Sequence, residues 1–361
     1  MAVADATRGL GGEPPAPRRV GRYTLYFPNQ PRIVSTATVV GPLEGQGPLA
    51  GDVDVTKTDR LLRETSWEHA ESQMLREAAE LAVRKKGLSL AEIDLLFAGD
   101  LLNQITASSF AARQLYVPFI GLYGACSTMA ESLALAATFV DGGYAARALA
   151  AVSSHHDSAE RQYRYPTEFG AQLVPTAQWT VTGAGGALLA ATGPGPAVTH
   201  ATIGRVVDLG IKDPADMGAA MAPAAVQTIL QHFADTGFDA SHYDLVATGD
   251  LAAVGHEIAA ALLAEDGLEL GERYVDCGLL IYDRRRQAVN AGGSGCGCSA
   301  VVFCGHFMRR LLQGELRRIL LVSTGALLSP TTSQQGDSIP SIAHAVAVEA
   351  RPADEAGGGG E

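Results

Sequence analysis

The chain's 361 residues, 47% of them apolar and 18% charged, suffice for one large core or two fused half-size units of a globular protein. A net charge of −12 argues against the cationic face that nucleic acid needs, and 6% aromatics supply no stacking platform for bases. No apolar run approaches the roughly 20 residues of a membrane-spanning helix, and the longest, Leu133 to Val140, fits a buried helix segment.

From the N-terminus, Met1 to Val20 carries Gly, Pro and scattered charges without an apolar centre, so residues 1–20 read as a disordered arm and not as a secretory signal. Glu68 to Lys86 places apolar residues at helical spacing and runs on to a cap-like Ser89. The short apolar strand Ile93-Asp94-Leu95-Leu96-Phe97-Ala98 then ends in Gly99-Asp100-Leu101. A second apolar stretch, Phe119 to Tyr123, meets the turn Gly124-Ala125-Cys126-Ser127-Thr128, which opens the helix-forming run Met129 to Thr138. Gly143 to Ser154 is a further buried strand, and His155 and His156 follow it.

The second half repeats the first. Ala219 to Thr236 is again helical, and Tyr243-Asp244-Leu245-Val246-Ala247-Thr248-Gly249-Asp250-Leu251 echoes the strand that ends in Gly99-Asp100-Leu101. Gly314 to Thr324 echoes Gly143 to Ser154. Each is preceded by a helix opening at a cysteine-bearing glycine-rich turn, Gly124-Ala125-Cys126-Ser127 in one copy and Gly295-Cys296-Gly297-Cys298-Ser299 in the other. Two copies of strand, turn, helix and strand imply a duplicated α/β unit with mostly parallel sheets covered by helices. Ligands then belong near the carboxyl ends of the strands, where the turns at Asp100, Cys126, His155, Asp250 and Ser294 are expected to cluster. Residues 351–361, rich in Gly, read as a disordered tail.

Five cysteines, Cys126, Cys277, Cys296, Cys298 and Cys304, make an odd count without the spacing of a disulfide framework, which points to a reducing compartment and a soluble, cytosolic-type chain. Cys296-Gly297-Cys298 with Cys304-Gly305-His306 is spaced more tightly than the usual paired zinc ligands, so buried packing is expected there and no metal. At Cys126 the sulfur falls at a helix N-terminus, where N–H groups and the macrodipole favour a thiolate or a bound anion. That arrangement suits either a nucleophile or a carboxylate receptor.

The succession of strand, Gly-Ala-Cys-Ser-Thr turn, long helix, strand ending Val152-Ser153-Ser154 and later Thr182-Gly183-Ala184-Gly185-Gly186-Ala187 resembles the N-terminal half of thiolases and ketoacyl synthases. Ala291-Gly292-Gly293-Ser294-Gly295 resembles their late glycine-rich active-site turn. The resemblance runs from about Arg22 to Val348 and implies a thiolase-like, layered αβαβα fold with mixed, mostly parallel sheets, an N-terminal half over 21–200 and a C-terminal half over 201–350. In those enzymes a histidine and an asparagine assist the cysteine. Thr248 and Gly293, beside Ser294, stand at the matching positions here, and neither is a base. His155 and His156 follow the other strand and keep a ketoacyl synthase type of acyl transfer, with Cys126 as nucleophile, as the alternative.

Longer strings are more particular. Gly124-Ala125-Cys126-Ser127-Thr128-Met129-Ala130-Glu131-Ser132, the stretch from Ser153 to Gly170, Ala177-Gln178-Trp179-Thr180, Thr248-Gly249-Asp250-Leu251 and Gly292-Gly293-Ser294-Gly295-Cys296 are similar to the stage V sporulation protein AD family. That resemblance implies a non-enzymatic subunit that binds dipicolinic acid and associates with membrane-embedded subunits of a sporulation complex. It would be peripheral at the spore inner membrane and serve dipicolinate uptake and its release on germination. A homodimer through a central strand is also implied by the fold. No cofactor is expected beyond calcium accompanying the ligand. The candidate ligand-binding residues are Asp100, Asn103, Cys126, Ser127, Thr128, His155, His156, Thr248, Asp250, Gly293 and Ser294, with positive charge from the two histidines, Arg161 and Arg164. Asp100 and Asp250 either orient a histidine, hold calcium or cap helices.

Overall fold

The computed structural model describes residues 18–163 and 174–350. Most of the expected N-terminal arm, the C-terminal tail and Arg164 lie outside the described residues. The last two residues of the expected arm, Arg19–Val20, are strand and pair antiparallel with Thr24–Tyr26.

Five strands make the core of the first half: β1 (Arg32–Val40), β2 (Leu95–Gly99), β3 (Phe119–Gly121), β4 (Arg147–Ser154) and β5 (Gly183–Ala190). Their order across the sheet is β3-β2-β4-β5-β1. The second half supplies β6 (Ala197–Thr202), β7 (Leu245–Thr248), β8 (Tyr274–Asp276), β9 (Arg318–Ala326) and β10 (Ser341–Glu349) in the order β8-β7-β9-β10-β6. The two orders are the same path walked twice. A single antiparallel pairing, Ala197 with Arg32, joins β6 to β1. The Gly99-Asp100-Leu101 and Gly249-Asp250-Leu251 echo therefore marks equivalent strand ends. Residue 200, the expected boundary between halves, lies inside β6, and the connection between halves is the loop after β5.

The sheet is mixed, as the resemblance implied, and its antiparallel pairings centre on two strands. β2 runs parallel to β3 and β4, and β7 runs parallel to β8 and β9, but β5 and β10 each lie antiparallel to both neighbours. Apolar and helical periods give the succession of elements. Strand direction depends on where each connection returns the chain, which those periods do not record.

Helices form five layers with these sheets. On the outside, α1 (Trp67–Lys85) and α2 (Thr106–Leu115) cover the first half, while α5 (Met217–Thr236) and α6 (Ala252–Glu265) cover the second. Between the halves lie α3 (Thr128–Asp141) and α7 (Cys296–Val302), and α4 (His156–Tyr163) follows β4. α3 packs on β2 and β4 of its own half and on β9 and β10 of the other, through Met129, Leu133, Phe97, Leu321 and Val346, all of them fully buried. Small residues make this stacking possible. A Cβ at Gly185 of β5 would meet the Ala300 carbonyl of α7 at 2.5 Å, and one at Gly255 of α6 would meet the Gly218 carbonyl of α5 at 2.5 Å. The high Ala and Gly content is thus used for close approach between layers.

Candidate functional site

Cys126 lies in a tight turn, Ala125–Ser127, that precedes α3, with Ala125 in the left-handed region at φ 50°. Gly325 of β9 lets this turn sit against the other half, because a Cβ there would meet the Gly124 carbonyl at 2.4 Å. The thiol is buried between the two halves, beside Asp250 and Cys296. Burial first, then the charge of Asp250 and its hydrogen bond with the sulfur, push the thiol well above its ordinary pKa. Burial and Asp250 both work against the thiolate that a helix N-terminus would otherwise favour. Nor do the neighbouring hydroxyls face a ligand: Ser127 Oγ donates to the Gly124 carbonyl at 2.7 Å and Thr128 Oγ1 to the Ala125 carbonyl at 2.6 Å. Both tighten the turn itself, as Ser and Thr do near helix starts.

Asp250 ends β7 at the same depth. Its carboxylate accepts from Thr324 Oγ1 at 2.6 Å, from the Gly295 N–H at 3.0 Å and, more loosely, from Ser294 Oγ at 3.4 Å. Burial nevertheless pushes its pKa up to about 6 against those bonds. Thr248 is occupied elsewhere: its hydroxyl donates to Asp276 at 2.8 Å, and Asp276 also accepts from the N–H groups of Leu251, Ala252 and Gly278. That carboxylate anchors the start of α6, so Thr248 braces the fold and does not face a ligand. Gly293 pairs with Trp179 in a short two-stranded ladder, where a Cβ would strike Ile281 at 2.9 Å, so its smallness serves packing. Asp100 caps α2, accepting from Ser108 N–H and Oγ at 2.7 Å and from the Leu102 N–H at 2.8 Å.

The expected cationic groups are turned away from Cys126. His155, wholly buried, donates from Nε2 to the Arg60 carbonyl at 2.8 Å and accepts from the Asp157 N–H at Nδ1, and burial lowers its pKa. His156 stacks on Trp179 with ring centres 3.7 Å apart and planes within 6°. Arg161 pairs with Glu68. The expected cluster of strand-end turns is thus partial: Cys126, Asp250 and Ser294 meet, whereas His155 and His156 do not join them.

Two connected cavities open over the sulfur. The inner one, about 40 Å³, is lined by Cys126, Ser294, Thr180, Ala159, Glu160 and Met217, together with residues shared with the outer one. That outer cleft, about 410 Å³, is bordered by Asp100, Asn103, Tyr123 and Gln162 and by the stretch 326–331. Leu101, Ala125, Tyr163, Ala326 and Leu328 line both and form the neck between them. Tyr163 is held there by its hydroxyl, which donates to the Leu101 carbonyl. Among the described residues no Lys, Arg or His lines either cavity. Of the neck, the sequence motifs held Leu101 and Ala125 but not Tyr163, Ala326 or Leu328. Thr324, the partner of Asp250, had a signal too, since its strand echoes the one ending in Ser153-Ser154.

The stage V sporulation protein AD family model matches residues 21–349. Stage V sporulation protein AD from Bacillus subtilis strain 168 is 50% identical over 329 residues, covering 91% of this chain and 97% of that protein. The chain belongs to the stage V sporulation protein AD family. Solved structures similar to this family member include 3-oxoacyl-[acyl-carrier-protein] synthase III from Aquifex aeolicus VF5, at 15% identity and TM-score 0.56, covering 88% of this chain and 99% of that one. Cerulenin-bound OleA from Xanthomonas campestris is 14% identical with TM-score 0.57, covering 90% and 98%. At such identities the likeness establishes the thiolase-like fold and nothing about chemistry.

In this stage V sporulation protein AD family member the remaining cysteines are free and buried. Cys296 Sγ donates to the Ser153 carbonyl at 3.0 Å, and His306 pairs through Nδ1 with Asp52 at 2.5 Å. Among the described residues no group of three or more His, Cys, Asp or Glu is placed to hold a metal ion, and no helix is long and apolar enough to cross a membrane.

Proposed function

We propose that this chain is the dipicolinate-binding subunit of a spore membrane transport complex, acting in uptake during sporulation and release on germination. It works without acyl transfer, at the spore inner membrane, through membrane-embedded partner subunits. One observation carries the reading. The buried Cys126 floors a two-part cavity that no histidine lines among the described residues, with Thr248 committed to Asp276 and Asp250 raising the thiol's pKa, so the histidine-assisted activation of an acyl-transfer cysteine has no counterpart in the pocket.

The inner cavity, about 40 Å³, is much the smaller of the two, so the pyridine ring belongs in the outer cleft of about 410 Å³, with one carboxylate directed through the neck toward Ser294. Because acids and no cations line the two spaces among the described residues, a bare dianion is disfavoured there and its calcium chelate is preferred. The exposed edge at β3, with Ile120 and Tyr123, is the surface for the homodimer implied by the fold.

Calorimetry of the purified chain with dipicolinate, with and without calcium, tests this. Saturable binding, tighter with calcium, is expected. Leu328→Trp, which fills the neck from a partly exposed position, is expected to weaken binding at least tenfold, or about 1.4 kcal/mol. No heat with either form of the ligand would remove ligand capture from the proposal.

A further inference from the structure

The outer face of the first half carries a second cavity, about 330 Å³, between α1 and α2 and distant in function from Cys126. Its walls are almost entirely polar side chains: His69, Ser72, Gln73 and Arg76 from α1, Arg113 and Gln114 from α2, with Phe110 as the one aromatic and Glu64 as the one acid. In a chain of net charge −12, two arginines and a histidine meeting around one carboxylate form a local excess of positive charge.

Among the described residues, neither guanidinium is in an ion pair with a carboxylate, whereas Arg18, Arg60, Arg161, Arg286, Arg309 and Arg310 are. The Arg113 group lies over the Phe110 ring, 4.6 Å from its centre, which fixes its plane and leaves its N–H edges outward. Arg76 Nε is buried without a hydrogen-bond partner, and so is Gln73 Oε1 beside it. A buried N–H of a charged group left unpaired is costly, so an acceptor that draws the Arg76 head toward the cavity would relieve it. His69 is tied only to Thr65, through Nδ1 at 3.2 Å, and its other nitrogen is available.

We propose that this groove is a binding site for a phosphate group. The donors there, two guanidinium forks with Ser72 and Gln114 hydroxyl and amide groups, outnumber what the two oxygens of a carboxylate can accept, and match the three or four oxygens of a phosphate. The balance of two arginines against Glu64 suits a group carrying one to two negative charges. Free phosphate, a phosphorylated metabolite and a lipid headgroup share this chemistry.

Titration calorimetry of the full chain with inorganic phosphate, against chloride at matched ionic strength, tests the site, with co-sedimentation on phosphatidylcholine vesicles lacking or containing phosphatidic acid as the second arm. Saturable heat, at least tenfold weaker in Arg113→Gln and in Arg76→Gln, is expected. Binding to phosphatidic acid vesicles alone, lost in Arg113→Gln, assigns the site to a headgroup, and binding of soluble phosphate alone assigns it to a free ligand. Arg113 is exposed, so its variant folds and decides the matter if Arg76→Gln does not. Absence of binding in both arms, or equal binding by wild type and Arg113→Gln, overturns the proposal.

Discussion

Cys126 owes its chemistry to its neighbours more than to its place before a helix. Asp250 and burial both favour the neutral thiol, and the helix N-terminus cannot outweigh a carboxylate in contact with the sulfur. Alkylation by iodoacetamide at pH 8, followed by mass spectrometry, is expected to label Cys126 far more slowly than an unhindered cysteine, and acyl-coenzyme A is expected to leave no adduct. Asp250→Asn removes the negative neighbour, lowers the thiol pKa and is expected to speed labelling several-fold. Equal rates in the two proteins would show that access alone limits the sulfur. The turn Gly124 to Thr128 was legible as a site because of its residue types. That Ser127 and Thr128 spend their hydroxyls on the turn's own carbonyls was not, since the same residues at the same spacing serve either purpose.

At the scale of elements, glycine positions decide how near the layers come. Gly255 of α6 sits at the crossing with Gly218 of α5, where a Cβ has 2.5 Å to the facing carbonyl. In an open helix, Gly to Ala stabilises by about 1 kcal/mol. Here the clash with backbone reverses the sign, and Gly255→Ala is expected to destabilise by roughly 1–3 kcal/mol, read from the midpoint of urea unfolding. A stabilised variant would mean that α5 and α6 separate freely. The helices at Glu68 to Lys86 and Ala219 to Thr236 were readable from apolar spacing, and they form over Trp67–Lys85 and Met217–Thr236. The antiparallel placement of β5 and β10 was not, because a run such as Gly183–Ala190 is equally apolar in either direction.

For the whole molecule, buried histidines and buried acids set opposed responses to pH. Burial lowers His200 and His344 to about 4 and His232 to about 3, so on acidification below 6.5 the unfolded chain takes up protons the folded one refuses, and stability falls. Burial raises Asp100 and Asp250 to about 6 and Asp276 to about 7. Between those values and 3.8 the folded chain holds protons the unfolded one has released, so acidification adds stability. The two largely cancel between about pH 6 and pH 4. Asp250→Asn removes one acid from the balance, and its urea midpoint is expected to fall more steeply than that of wild type over this range. Parallel pH profiles would contradict the assignment. By itself the sequence determined the duplication, the αβαβα class, the family and the cysteine turn, because local periods and long residue strings carry them. Only the tertiary structure decided that Thr248 braces Asp276, that His155 and His156 face away, and that Tyr163 and Leu328 form the neck. Those outcomes depend on which distant backbone groups lie within hydrogen-bond reach, a distance that neighbours in sequence do not set.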